Sequence, residues 1–400
     1  MLILVINSGS SSLKFQLIDS EKKQMLAKGI CERIGIEEPF FEYENGGCSI
    51  HQPRKMDTHK DAVHILLETL VDSECGVISS LDEIAAVGHR VVHGGPHFSQ
   101  PALVTEEAKK AIRKSSGWCP LHNQANLTGI EVLEKAMPGV PQVAVFDTAF
   151  HQTMPPEAYM YGIPYEYFEK FDMRRYGFHG TSHEFVARRA AEITRHDPAS
   201  FRLITCHLGN GSSFAAIRGG RCLDTSMGLT PLEGIMMGTR CGSIDPAIPP
   251  FMAKLGNCTP DEVDDVLNKK SGMLGISGVS MDFRDVQDAA AQGNERAGLA
   301  IKMFCYQAIK IIGSYMAALG GLDTLVFTAG VGENDGMIRK SICDGFRFSG
   351  MAIDEERNLI RRKEVVLSTE ESAIEVFVIP TNEELSIAIQ TAEVLRKTQD

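Results

Sequence analysis

Leu2-Ile3-Leu4-Val5-Ile6-Asn7-Ser8-Gly9-Ser10-Ser11-Ser12-Leu13-Lys14 opens the chain with an apolar run, a turn of small residues and the start of a second apolar run. Residues 2–6 and 13–18 read as two strands of a hairpin joined by that turn. The same design returns further on. Arg202-Leu203-Ile204-Thr205-Cys206-His207 is a strand, Leu208-Gly209-Asn210-Gly211-Ser212-Ser213 a turn, and residues 214–217 another strand. Ser11-Ser12 and Ser212-Ser213 lie 201 residues apart in a chain of 400, which suggests a duplicated architecture.

Working outward, residues 84–87, 142–146, 324–328 and 376–379 are short apolar runs that read as buried, mostly parallel strands. Between them, residues 59–71, 106–114, 123–136, 261–268, 294–319 and 383–397 carry apolar positions three to four apart, as amphipathic helices do. The mixture is α/β. Four hundred residues exceed one compact core, so two domains are expected. Pro155-Pro156 and the aromatic-rich stretch after it mark the boundary. The expected domains are 1–150, joined by a C-terminal helix over 383–400, and 151–382.

Apolar residues make up 43% and charged residues 23%, a globular composition. The net charge of −12 argues against a nucleic-acid partner, although an anionic substrate can still bind in a local basic pocket. The first apolar run is too short for a signal peptide, and Gln307 and Lys310 break the longest apolar helix, so no membrane span is expected. The ten cysteines are scattered without any C-x-x-C pair. Reduced thiols in a cytoplasmic protein are therefore expected.

Small residues let backbone N–H groups approach an anion, and hydroxyls add donors. The turn at Ser10, Ser11 and Ser12 with Lys14, and the turn at Gly209, Asn210 and Gly211, can therefore face phosphates or simply close tight hairpins. A third glycine-rich piece, Thr328-Ala329-Gly330-Val331-Gly332-Glu333-Asn334, follows a buried strand, where nucleotides often meet a sheet. Asp335 spoils the dinucleotide G-x-G-x-x-G pattern, and the chain contains no P-loop. Arg90 and Arg240 both sit near glycines, outside any amphipathic helix, and two such guanidinium forks can grip a carboxylate or phosphoryl oxygens. His179 lies between Phe178 and Gly180. With His183 it has the i, i+4 spacing of a zinc pair but lacks the accompanying glutamate and a nearby third ligand. His207 ends a strand. Asp147 ends the run Val143-Ala144-Val145-Phe146, and Glu383 opens the last helix after Pro380. Such carboxylates serve either as helix-end charges or as oxygen ligands for a magnesium ion carrying ATP.

Together these motifs resemble the acetate kinase (acetokinase) family. The hairpin turn from Val5 to Lys14 is similar to that family's first signature, and the segment from Ile204 to Ser213 to its second. The matches continue through His89 to Gly95, Phe146 to His151, Tyr176 to His183, Pro231 to Gly234, Gly238 to Pro246, Asp282 to Asp285, Phe327 to Asn334 and Pro380 to Glu384. The resemblance implies two duplicated domains of the actin, sugar-kinase and heat-shock-ATPase type (ribonuclease H-like) around a nucleotide cleft, and a homodimer. It implies reversible phosphoryl transfer between ATP and acetate, giving acetyl phosphate and ADP, with magnesium or manganese as helper ion. By analogy Arg90 and Arg240 hold the carboxylate and the moving phosphoryl group, His179 and Arg240 stabilise the transition state, and Asp147 orients the substrate. Asn7 and Glu383 position the metal. Ser12, Lys14, His207, Leu208, Gly209, Asn210 and Gly211 line phosphates, while Asp282, Phe283, Arg284, Gly330, Val331, Gly332, Glu333 and Asn334 hold the nucleotide. Val92, Leu121 and Pro231 form the methyl pocket. One departure is Pro96, where compared members usually carry an acid.

A propionate kinase would use the same groups with a wider pocket, against which the bulk of Val92 argues. An ATP-driven clamp of the actin or heat-shock type has no use for two arginines and a histidine beside a small apolar pocket. An NAD-dependent oxidoreductase fails on the missing fingerprint.

Overall fold

The computed structural model describes residues 1–399, with the side chains of Pro120, Leu121 and Gln399 outside that description. It divides into two compact units, Met1–Gln152 together with the chain from Asn382 onward, and Thr153–Thr381.

The first unit contains strands β1 (Leu2–Ser8), β2 (Ser12–Asp19), β3 (Gln24–Glu32), β4 (Phe40–Asn45), β5 (Ser49–Pro53), β6 (Ile84–Val91), β7 (Ala102–Leu103) and β8 (Gln142–Phe146). They form one sheet in the order β5-β4-β3-β2-β1-β6-β8-β7. Strands β1 to β5 run antiparallel to their neighbours, and β1, β6 and β8 run parallel. The second unit contains β9 (Arg202–Leu208), β10 (Ser212–Arg218), β11 (Arg221–Thr225), β12 (Thr324–Thr328), β13 (Val365–Val366) and β14 (Glu375–Val378), in the order β11-β10-β9-β12-β14-β13. In each unit an antiparallel β-meander continues through its first strand into two parallel strands. This shared order, β3-β2-β1-β6-β8 in the first sheet and β11-β10-β9-β12-β14 in the second, is the duplication that the two small-residue turns point to. Among the described residues, no helix is long and apolar enough to cross a membrane.

The pleat explains how one strand serves two cores. On β1, Leu4 and Ile6 pack with Phe15, Phe41, Leu66 and Leu133 on one face. Ile3 and Val5 pack on the other with Val143, Val145, Ile387, Ala388 and Leu395. The last three belong to the Glu383–Gln399 helix, so the returning end of the chain completes the first unit's second core. That helix sits close because β6 has glycine at position 88: a Cβ there would fall 2.5 Å from Thr391 Oγ1 and 2.9 Å from Ile387 Cγ2. Glycine lets helix and sheet meet.

Strands β3 to β5 were not expected from the sequence. Their open face carries Lys28, Glu42, Glu44 and His51, so the pattern reads as polar. Cys48 and Cys75, expected as thiols, are joined as a disulfide, with Cα atoms 5.5 Å apart, while the other eight cysteines are thiols. The loop after the His59–Leu70 helix brings Cys75 back to the β4–β5 turn, where Asn45 Nδ2 donates to the Cys75 carbonyl.

His89 on β6 is buried and hydrogen-bonded to Gln142 Oε1 at 2.6 Å. Burial lowers its pKa from 6.5 to about 4, against a smaller opposing effect of the Gln142 bond. Between those values the unfolded chain takes up a proton that the folded one refuses, so stability must fall as pH drops from about 6.5 to about 4 and level off below. Urea midpoints across that range check this: His89→Leu should flatten the slope, and an unchanged slope would refute the assignment.

Candidate functional site

In the first unit, the parallel strands β1, β6 and β8 carry Asn7, Arg90 and Asp147 at or just beyond their carboxyl ends. Open α/β sheets gather their chemistry at this edge. Asp147 follows β8, and its N–H bonds the Val91 carbonyl across the strands. Its carboxylate is 1% exposed and accepts from Arg90 Nε at 3.0 Å and Nη2 at 2.8 Å, a bidentate fork. Arg90 Nη1 also faces Glu383 Oε2 at 3.5 Å, where the last helix begins. Burial alone would lower the Arg90 pKa, but the charges of Asp147 and Glu383 outweigh it and raise it well above the ordinary value. Arg90 is therefore a permanent cation held in one orientation.

The loop after β6 is fastened by the Pro120–Ala136 helix. Asn126 Oδ1 accepts from Val92 N–H, and its Nδ2 donates to the Ser8 carbonyl. Asn123 accepts from His93 N–H and donates back to the His93 carbonyl. These two buried asparagines, three apart on a helix, were missed in the sequence, although such residues require partners when buried. Val92 is half-buried; the Leu121 side chain lies outside the described residues. Pro96 is the second residue of a short 3₁₀ turn, Gly95–His97, where a missing N–H costs little. Lys14 pairs with Asn7 across β1 and β2. The two residues line a cavity of about 290 Å³ with Lys28, Glu42, His51 and Glu384. Ser12 opens β2, and its carbonyl closes the turn by accepting from Gly9 N–H.

In the second unit, His179 precedes the Gly180–Ile193 helix with a left-handed backbone, φ +56°. A non-glycine residue held there marks a local constraint worth about 1–3 kcal/mol. Its ring stacks on His207 at 4.1 Å, and His207 Nδ1 meets Ser182 Oγ at 2.8 Å. Arg240 Nη1 donates to the Pro231 carbonyl at 3.0 Å. The segment bearing Pro231 is pinned by Glu233, whose carboxylate accepts from Arg175 Nη2 and from the Tyr161 hydroxyl, both at 2.6 Å. The point a Cβ on Gly211 would occupy is 3.4 Å from His179 Nε2 and 3.5 Å from Arg240 Nη1. The glycine turn, the imidazole edge and the guanidinium thus converge. Asn210 joins them through Gly238, whose N–H bonds the Asn210 carbonyl. Met281, next to Asp282, lies against the same glycine.

Three residues expected at a nucleotide turn their side chains inward. The Phe283 ring is buried against Phe304, 4.8 Å away. Leu208 is fully buried. Glu333 accepts from Ala329 N–H at 2.9 Å and Thr381 N–H at 3.1 Å, and so holds Ala329 at φ +63°. Gly332 is tied by its carbonyl to the buried Arg339 at 2.9 Å. Gly330 is exposed, and Asn334 Nδ2 bonds its carbonyl. Val331 is half-buried. Gly209 reaches the same turn: a Cβ on it would stand 4.0 Å from Ala329 Cβ. Asp282 caps the Phe283–Ala291 helix and takes a two-point bond from the exposed Arg284. Among the described residues no group of three or more His, Cys, Asp or Glu is placed to hold a metal ion.

Residues 2–389 match the model of the acetokinase family. An acetate kinase of Treponema denticola is 54% identical over 397 residues, covering 99% of this chain and 100% of that protein. The crystal structure of Porphyromonas gingivalis acetate kinase superposes with a TM-score of 0.94 at 45% identity, covering 98% of this chain and 99% of that one. A propionate kinase from Francisella tularensis gives 0.91 at 41% identity, covering 97% and 98%. A match over nearly the whole chain, through every segment that carries the two clusters, leaves one classification: the chain belongs to the acetokinase family.

Proposed function

We propose that this chain is an acetate kinase, transferring the terminal phosphoryl group of ATP directly to acetate, and in reverse from acetyl phosphate to ADP. Alongside family membership, the observation that carries this reading is the meeting of His179 and Arg240 over Gly211. Phosphoryl transfer needs positioned positive charge and donors around the equatorial oxygens more than it needs a strong base. Acetate is already ionised near neutrality, so no group has to deprotonate it.

Arg90 presents a fixed guanidinium to the acetate carboxylate, held by Asp147, and Val92 limits the acid's length, with Leu121 and Pro231 assigned to the same methyl pocket by family resemblance. Arg240 and His179 take the charge that develops on the transferred group. His207, Asn210 and Gly211 place the phosphates, with Ser12 and Lys14. The 282–284 and 330–334 segments hold the nucleotide, with Phe283, Leu208 and Glu333 shaping the backbone from within. Magnesium accepts hard oxygen ligands, one or two from protein and the rest from phosphates and water. The Asn7 amide oxygen and the Glu383 carboxylate fit that demand; when bound, the ion would offset phosphate charge.

We place the protein in the cytoplasm, where ATP is supplied, as a homodimer. Exposed Phe251, Leu255 and Tyr306 on the second unit support the dimer, and light scattering at micromolar concentration should read twice the chain mass.

The decisive assay is acid-dependent ADP release from ATP and magnesium. Acetate should give the higher kcat/KM and propionate a lower one, since a single methylene shifts binding by about 1–3 kcal/mol. ADP release that ignores acetate would reject the reading, and a preference for propionate would reassign the substrate.

A further inference from the structure

Behind His179 lies a chain of three fully buried side chains that the mechanism above does not use. His179 Nδ1 meets Ser213 Oγ at 2.8 Å, His183 Nε2 meets the same oxygen at 2.7 Å, and His183 Nδ1 meets Thr205 Oγ1 at 2.7 Å. Ser213, His183 and Thr205 are each 0% exposed. Three elements supply them: the Gly180–Ile193 helix carries His183, β9 carries Thr205 and β10 carries Ser213.

Heavy-atom distances leave the direction of each bond open, but counting protons does not. A hydroxyl has one proton, and burying it without an acceptor costs about 1–3 kcal/mol. Among the described residues, the Thr205 hydroxyl has a single hydrogen-bond partner, His183 Nδ1. Its proton therefore goes there, and His183 Nδ1 accepts. A neutral His183 must then carry its proton on Nε2 and donate it to Ser213 Oγ. The Ser213 hydroxyl has two partners among the described residues, and one of them is now donating to it. Its own proton goes to the other, His179 Nδ1. His179 Nδ1 accepts, and the neutral ring bears its proton on Nε2, the atom that faces the Gly211 turn. The reverse polarity would strand the Thr205 proton in a dry site.

We propose that Thr205, His183 and Ser213 form a positioning relay that fixes His179 as the Nε2–H tautomer, so that this histidine meets the transferred phosphoryl oxygens as a preset hydrogen-bond donor. The proposal rests on the role given to His179 above and adds to it why the ring is a donor and which residues make it one. The three act through His179 and touch no substrate. The left-handed backbone of His179 belongs to the same device: it holds Nδ1 over Ser213 while Nε2 points to the turn. Preorganised donors stabilise a transition state because they need no reorganisation when charge develops.

The test uses the full-length protein with ¹⁵N-labelled imidazoles, His179 being assigned by difference from His179→Gln. Wild type should show His179 Nε2 protonated and Nδ1 unprotonated. Ser213→Ala should give a mixed-tautomer signal, and kcat should fall about 10–100-fold, by analogy with the loss of an outer hydrogen-bond partner from a metal-ligating histidine. KM for ATP and acetate should barely move, a split that general loosening would not produce. Thr205→Val, nearly isosteric but without the hydroxyl, should shift the His179 signal in the same direction, and Thr205→Ser should restore it. An Nδ1–H tautomer in the wild type would overturn the relay, as would a tautomer indifferent to Ser213→Ala. Turnover that survives His179→Gln would instead reject the role of His179 itself, and the imidazole spectra would still report on the relay.

Discussion

Arg240→Ala should lower kcat by about 10²–10³ while the protein stays folded, the loss expected when one preorganised donor to a developing anion is removed. Within the second unit Arg240 Nη1 donates to the Pro231 carbonyl and touches Met237 Sδ. A hydrogen bond from a charged donor of that kind contributes about 1.5–3 kcal/mol net. Arg240→Lys separates charge from geometry, because an ammonium keeps the charge and loses the planar fork. It should recover only part of the rate. If the group acts mainly in the transition state, kcat and kcat/KM fall together. Near-normal turnover in Arg240→Ala would end the assignment.

Arg90→Ala should behave differently, losing stability as well as activity. Asp147 is 1% exposed and accepts two hydrogen bonds from this guanidinium. Removing one partner of a buried ion pair costs about 3–5 kcal/mol, because the remaining charge stays in a poor solvent. The double variant Arg90→Met with Asp147→Asn removes both charges and should regain much of the urea midpoint while remaining inactive. That pattern separates the pair's structural part from its chemical part. A double variant as unstable as Arg90→Ala alone would show that the ion pair is not what the fold misses.

The sequence carried the architecture where burial and turn chemistry agree. A run such as Leu2 to Ile6 can only be covered on both faces, and small residues such as Gly9-Ser10-Ser11 favour a turn, so both hairpins and the parallel strands were readable, although β1 continues through Asn7 and Ser8. Strands β3 to β5 were hidden because Lys28, Glu42 and His51 interrupt the apolar alternation on a face open to solvent. The positions of Arg90, Asp147, His179 and Arg240 followed from their motifs. The directions of neighbouring side chains did not. Nothing local distinguishes a Phe283 ring stacked on a base from one buried against Phe304, or a Glu333 facing a ligand from one capping Ala329. Long-range partners were illegible for the same reason: Thr205 lies 22 residues from His183, and Cys48 lies 27 from Cys75. Only the completed fold brings them within reach.

The first unit is discontinuous: the helix that covers Ile3, Val5, Val143 and Val145 begins at Glu383. During synthesis, the amino-terminal sheet therefore waits with one greasy side uncovered until all of Thr153–Thr381 has left the ribosome. The second unit, though made later, can fold first. Because the late helix also carries Glu383, the Arg90–Glu383 ion pair forms only when this hydrophobic layer closes.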